Sequence, residues 1–253
     1  MRTRKGIDLN ATRRAIGKGK PVMFPDIDVS VCEIHGRLFS FASDRKQDPI
    51  QRAHRGGKFY EEPELAIIKS QFPQGGIFVD IGSNIGNHSL FVAAFLQPEK
   101  IIPFEPNPLA YKLLLANVAM NGFSPLFDLS YIGFGLSDTR ASGFAMSDQH
   151  KNLGGARMQS GEGDIETITG DQALEKVTPD FLKIDVEGME IMVLRGLEAT
   201  IERAAPTILI EVDQENYDAF DAWVEDHGYE VLKTFQRYRT NKNFLVAKPD
   251  ATD

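Results

Sequence analysis

The chain has a single cysteine, Cys32, so it can form neither an internal disulfide nor a cysteine metal cluster. No apolar run approaches the roughly 20 residues that cross a membrane as a helix. The N-terminus also lacks the apolar h-region of a signal peptide, so a cytoplasmic location is expected. Positive charge is outnumbered, 28 Lys and Arg against 36 Asp and Glu, and the net charge of -8 argues against a non-specific nucleic-acid binder. Two nucleotide signatures are missing as well. There is no G-x-x-x-x-G-K-[ST] phosphate loop, and no G-x-G-x-x-G, because Asn84 and Asn87 stand where its second and third glycines would be.

What remains is ordinary for a soluble globular protein. The chain has 253 residues, 42% hydrophobic and 25% charged, enough for one sizeable α/β domain. Arg2, Arg4, Lys5, Arg13, Arg14, Lys18 and Lys20 suggest a mobile, solvated N-terminal arm. Residues 22–42 alternate around His35-Gly36 and predict a β-hairpin. An arm and hairpin region over 1–58 is therefore expected to precede a main domain over 59–253.

The most informative stretch is Asp80-Ile-Gly-Ser-Asn-Ile-Gly86. Ile77-Phe-Val leads into it, and Leu90, Phe91, Ala94 and Phe95 follow on one helical face. That order reads as strand, glycine turn, helix. Glycine permits close approach of backbone to a ligand, and the helix N-terminus offers free N–H groups. D-x-G-x-x-x-G resembles the first motif of the class I S-adenosylmethionine (SAM) methyltransferases. About 20 residues on, Lys100-Ile-Ile-Pro-Phe-Glu105-Pro-Asn-Pro108 reads as a second strand ending in a carboxylate. A carboxylate so placed can accept hydrogen bonds from both ribose hydroxyls.

Further strands are expected over residues 126–134, 165–168, 181–184, 207–212, 229–233 and 244–247. Helices are expected over 63–71, through Tyr111 to Val118, at 171–175, over 190–203 and over 217–227. Such alternation predicts a largely parallel sheet covered by helices. Residues 135–163 are glycine-rich and read as a long, irregular, functional loop. The strand Phe181-Leu-Lys-Ile ends in Asp185, followed by Glu187-Gly188. Ligands of open α/β sheets sit beyond the carboxyl ends of the strands, so Asp80, Glu105 and Asp185 should face one crevice.

Taken together, these motifs resemble the FkbM-type methyltransferases. The matching segments are Tyr60-Glu-Glu-Pro63, the glycine loop, Phe104-Glu-Pro-Asn-Pro108, Asn117 to Asn121, Gly135-Leu-Ser-Asp138, Asn152-Leu-Gly-Gly155 and Phe181-Leu-Lys-Ile-Asp-Val-Glu-Gly188, continued by Glu190, Leu194-Arg-Gly196 and Ile210-Glu211. Gly170-Asp171 departs from the Leu-Asp usual in the family. The resemblance implies a Rossmann-like, mostly parallel seven-stranded sheet with helices on both faces. It also implies SAM-dependent methyl transfer, most often to a hydroxyl of a sugar or natural product.

On that reading the cofactor is held by Asp80, Gly82, Ser83, Asn84, Gly86, Glu105, Pro106, Asn107, Ser137, Asp138 and Asp185, with Ser137 and Asp138 near adenine. A hydroxyl is a weak nucleophile and needs help in losing its proton. Asp185, Glu187, His88 and His150 are the candidates. Glu62, Asn152, Arg157 and Glu211 are candidate acceptor contacts, and residues 137–164 should face the acceptor. Asp185, Glu187, Glu211 and Asp213 are hard oxygen ligands suited to Mg2+ or Ca2+. Strand-end carboxylates also orient hydroxyls by hydrogen bonds; that metal-free reading is preferred, and no metal ligand is assigned. The expected partner is a small-molecule or glycan acceptor, with no nucleic acid; a homo-oligomer is compatible. Two rival functions stay open, an NAD-type oxidoreductase and a non-catalytic SAM-binding protein acting through partners.

Overall fold

The computed structural model describes residues 7–147, 153–161, 163–237 and 239–249. The first helix, α1 (Leu9–Gly17), is capped by Asp8, whose carboxylate accepts from the Ala11 N–H. Arg13 belongs to no mobile arm: its guanidinium donates to the carbonyls of Leu129, Ser130 and Ile132 and pins α1 to the body. The hairpin is present as β1 (Asp28–Ile34) and β2 (Arg37–Ser43), paired antiparallel. His35 and Gly36 both take positive φ, 52° and 77°, which matches the twist of a two-residue hairpin turn. Phe39 and Phe41 of β2 are buried in the same core as Phe59 and Phe91.

The chain continues through α2 (Pro49–Arg55), α3 (Glu62–Gln71), β3 (Ile77–Ile81), α4 (Asn87–Phe95), β4 (Lys100–Phe104) and α5 (Pro108–Met120). Next come β5 (Phe134–Leu136), β6 (Ala141–Met146), β7 (Met158–Ser160), β8 (Ile165–Ile168), α6 (Gly170–Ala173) and β9 (Phe181–Ile184). The last third holds α7 (Glu190–Arg195), α8 (Glu198–Ala204), β10 (Thr207–Asp213), α9 (Tyr217–Asp226), β11 (Glu230–Phe235) and β12 (Asn241–Ala247).

The main sheet has the order β11-β12-β10-β9-β3-β4. β4, β3, β9 and β10 run parallel, and β12 is antiparallel to β10 and β11. Side chains alternate across it. Phe78, Ile101, Phe181, Leu209 and Leu245 pack under α3, α4 and α5. Val79, Ile102, Leu182, Ile208 and Val246 pack under α7, α8 and α9. The fold is thus a Rossmann-like sheet with helices on both faces.

Three expectations need correction. Among the described residues the main sheet has six strands, where seven were expected. The segment before β5 forms no continuous ladder with β4: its backbone bonds are an isolated pairing, with Asp128 N–H to Ile101 O, and Gly133 N–H to Glu105 O just past the strand, both 2.9 Å. Between them the chain bulges outward into the turn that Arg13 clamps. The described residues of 135–163 also form no irregular loop. β5, β8, β6 and β7 form a second sheet in that order, with β5 paired parallel to the distant β8 and Met146 opposite Met158. Finally, the helix expected over 190–203 breaks at Gly196. A Cβ there would lie 2.1 Å from the Ser137 carbonyl, and Asp171 accepts from Ala199 and Thr200 N–H to start α8 afresh. The neighbouring departure, Gly170, makes room for Leu197: a Cβ would meet its Cδ2 at 2.2 Å.

Candidate active site

β3, β4, β9 and β10 all end at one edge, which brings Glu105, Asp185 and Glu211 to it. The turn after β3 can be built only with glycine. Gly82 has φ +77°, and a Cβ on it would lie 1.8 Å from the Asp185 carbonyl oxygen. This close approach brings the β3 and β9 ends together. Gly86, at φ +89°, starts α4 and packs on Leu114.

Asp80 lies beneath the loop rather than in a cleft. It is fully buried, accepts from Ser89 Oγ at 2.6 Å and stands 3.5 Å from Lys183 Nζ. Burial raises its pKa and the Lys183 charge opposes the rise. Lys183 also donates to Gly82 O at 3.0 Å and to Asp185 Oδ2 at 3.4 Å. Burial works against its charge, yet Asp185, Asp80 and Glu61 outweigh burial and hold its pKa above the ordinary lysine value. Asp80 and Lys183 are therefore the buried brace under the glycine turn.

Two clefts open above this brace. The first is lined by Gly82, Asn84, Glu105, Pro106, Asp185 and Glu187, with walls of Phe134, Gly135, Leu136, Met146, Leu153, Met158 and Met189. Glu105 accepts from Asn84 N–H at 2.7 Å and Asn107 N–H at 2.8 Å. Burial still pushes its carboxyl up to about 7. Asn107 caps α5 through Leu109 N–H and lines neither cleft. The chain passes the first cleft with Phe134, Gly135 and Leu136. Ser137, buried and bonded to Asp138, follows one residue beyond that wall.

The second cleft is lined by Tyr60, Glu61, Ser83, His88, Gly155, Lys183, Glu211 and Asn241, and shares Gly82, Asn84, Gly154, Asp185 and Glu187 with the first. Ser83 Oγ donates to Phe104 O. His88 is buried, its Nε2 3.5 Å from Glu61 Oε2; burial, with Lys183 and Arg237, holds its pKa well below the usual histidine value, so it is neutral at pH 7. Glu187 sits at φ +53°, and burial with Asp185 and Asp213 pushes it up to about 8. Glu211 accepts from Asn241 and Asn243; burial, then Asp185, Glu187 and Glu61, raises it strongly.

Other candidates fall elsewhere. His150 and Asn152 lie outside the described residues. Arg157 is bound to Asp213 and stands 3.7 Å from Glu215, so Asp213 is withdrawn from the carboxylate group. Glu62 lines a neighbouring groove; Glu61 reaches the second cleft. The sequence signal was Tyr60-Glu-Glu-Pro63, but only the left-handed conformation of Glu61 (φ 60°) decides which carboxylate turns inward. Burial, then Asp185 and Glu64, pushes Glu61 up to about 7. Described residues of segment 137–164 line both clefts: Met146, Leu153, Ala156 and Met158 wall the first, and Gly154 and Gly155 reach the second.

A glycine turn at the carboxyl edge of a Rossmann-like sheet, with a strand-end carboxylate beside it, is the arrangement of class I methyltransferases, and the family match assigns the chain to that class. The chain belongs to the FkbM methyltransferase family: the Methyltransferase FkbM domain matches residues 80–231. It is 24% identical over 204 residues to the methyltransferase sdnD of Sordaria araneosa, covering 65% of this chain and 77% of that protein. It is 28% identical over 158 residues to the hexuronic acid methyltransferase AglP of Haloferax volcanii, covering 60% of this chain and 62% of that one. Among solved structures, the methyltransferase FkbM of Methylobacillus flagellatus KT is similar, with a TM-score of 0.49, 18% identity, and coverage of 68% of this chain and 44% of that chain. SAM dependence is a property of this family. No helix among the described residues is long and apolar enough to cross a membrane.

Proposed function

We propose that the protein transfers the methyl group of SAM to a hydroxyl oxygen of a polar, polyhydroxylated acceptor, a sugar or a related natural product. The observation that carries this is the wall shared by the two clefts. Gly82, Asn84, Gly154, Asp185 and Glu187 belong to both. SAM bound in the first cleft, with its ribose at Glu105 and adenine between Leu136 and the methionines, presents its methyl at that wall. An acceptor in the second cleft meets it from the other side. The sulfonium–methyl bond breaks as the new oxygen–methyl bond forms, S-adenosylhomocysteine (SAH) leaves, and the hydroxyl proton passes to a carboxylate. Glu187 is the proton acceptor on this reading, with Asp185 orienting the hydroxyl. In-line placement at about 3 Å supplies much of the rate.

The polar lining of the second cleft favours a hydroxylated acceptor over an apolar one. Similarity to a relative named as a hexuronic acid methyltransferase points the same way. The test is methyl-labelled SAM with a panel of monosaccharides, uronic acids, glycans and apolar alcohols. Label in a hydroxylated acceptor is expected. Label confined to apolar alcohols, or to none while SAH forms, contradicts the acceptor class. A thermal-shift comparison of SAM, SAH and NADH separates the oxidoreductase: stabilisation by NADH alone contradicts methyl transfer itself.

A further inference from the structure

Asp185, Glu187 and Glu211 each present one carboxylate oxygen to a common point, and the three oxygens lie within 4.8 Å of one another. Three elements fix them. Asp185 follows β9, Glu187 is held at positive φ beside Gly188, and Glu211 on β10 is tied by Asn241 at 2.7 Å and Asn243 at 3.2 Å. The neighbouring cations are engaged: Lys183 with Asp80, Gly82 O and the Oδ2 of Asp185, and Arg157 with Asp213.

A second feature is independent of the carboxylates. Asn84 Oδ1 and Asn241 Oδ1 line the same cleft and have no hydrogen-bond partner. Asn241 is only 6% exposed, and both oxygens are shielded from bulk solvent. The Asn241 amide N–H is spent on Glu211, which leaves its carbonyl oxygen as the open group. Buried acceptors without a donor are costly. A wall made of carboxylates and open acceptor atoms calls for a ligand that brings positive charge.

We infer that Asp185, Glu187 and Glu211 bind one divalent cation of the hard, oxygen-preferring class in the second cleft. Two oxygens on opposite sides of a Ca2+ stand about 4.6–5.2 Å apart, and of a Mg2+ about 4.2 Å, from their bond lengths. The observed limit of 4.8 Å lies within the Ca2+ span and exceeds the Mg2+ span by about 0.6 Å, so Ca2+ closes with less movement. The carbonyl of Asn241, water and the acceptor take the remaining positions. The consequence for catalysis rests on the proposed methyl transfer: a hydroxyl on such a cation loses its proton more readily. The site itself does not rest on that reading.

The experiment is a titration of the full chain with Mn2+ in the presence of SAH and without acceptor, free Mn2+ being read by electron paramagnetic resonance. One saturable site with a Kd below about 1 mM is expected, displaced by Mg2+ or Ca2+. Glu187→Gln and Glu211→Gln, near-isosteric changes, should each weaken it at least tenfold; Glu202→Gln, on the exposed side of α8, should not. Absence of a saturable site in the wild-type chain overturns the inference. So does unchanged Mn2+ affinity in the Glu187→Gln, Glu211→Gln double variant with SAH binding intact. Full methylation in a strong chelator with no Mn2+ site sinks the cation and leaves methyl transfer standing; a Mn2+ site without methylation of any acceptor does the reverse.

Discussion

Asp48 and Leu153, 105 residues apart, are joined by a buried hydrogen bond: Asp48 Oδ2 accepts from the Leu153 N–H at 2.9 Å. The other oxygen of the same carboxylate accepts from Gln51 N–H at 3.0 Å and caps α2. One side chain therefore starts a helix of the N-terminal region and anchors the segment that closes both clefts. Asp48→Ala should lose the cap, about 1 kcal/mol of stability, and also free residues 153–156. SAH affinity should fall severalfold, because Leu153 and Ala156 wall the first cleft. Denaturant curves and calorimetry measure the two effects separately. A stability loss with unchanged SAH affinity would show that the anchor matters to folding alone.

Glu105 is expected to carry the ribose. Glu105→Ala should weaken SAM binding by about 1–3 kcal/mol, the scale of hydrogen bonds to a charged group. Its raised pKa, about 7, also sets a pH dependence. Above that value the group is a carboxylate and accepts from both hydroxyls; as pH falls through 7 it gains a proton and loses acceptor capacity. SAH should bind more weakly at pH 6 than at pH 8, and Glu105→Gln should be weaker and flat over the same range. Calorimetry giving equal affinity for wild type and both variants would remove Glu105 from the site.

Glu187 lines both clefts, where the proposed transfer takes place, so its loss should harm turnover more than cofactor binding. Glu187→Gln should cut kcat by roughly 100-fold or more, the scale of general-base assistance, while SAH affinity changes by less than about threefold. Glu61→Gln should act in the same direction more mildly, through His88 and Arg237, its 3.5 Å and 3.2 Å neighbours. A wild-type rate in Glu187→Gln with the true acceptor rules out its role.

The parts of this site legible in sequence are those written locally. A strand, a glycine turn and a strand-end carboxylate occupy a few consecutive residues, so Gly82, Glu105, Asp185 and Glu187 could be placed on one edge. The missed parts depend on distant partners or on one backbone angle. Met146 and Met158 form a wall only because β6 pairs with β7, and nothing in their own neighbourhood states that pairing. Glu61 and Glu62 differ by one residue, and only a left-handed φ at Glu61 selects the former. Arg13 looked like one of several basic residues; three carbonyls from the bulge before β5 make it an anchor. The break at Gly196 follows from the Ser137 carbonyl, a contact between segments about 60 residues apart.

His54 gives the protein a built-in sensitivity to mild acid. Its ring is buried, stacked on Phe41 with centroids 4.0 Å apart, and its Nε2 lies 3.1 Å from Asn87 Oδ1. Asn87 donates its own amide N–H to Tyr60 O, so Oδ1 is the acceptor and Nε2 carries the hydrogen. Nδ1 is then the bare nitrogen, and it has no partner. A proton arriving there would be buried without an acceptor. Burial accordingly lowers the pKa to about 4. The unfolded chain takes up a proton near 6.5 while the folded one refuses it down to about 4. The stability is therefore complete above pH 6.5 and is lost progressively as pH falls towards 4. Between pH 6.5 and pH 5 the loss should be about 2 kcal/mol, at about 1.4 kcal/mol per pH unit. His54→Phe removes the titrating group and keeps an aromatic ring against Phe41, so its denaturant midpoint should fall less over this interval. Parallel curves for wild type and variant from pH 8 to pH 5 would show that His54 contributes nothing to the acid response.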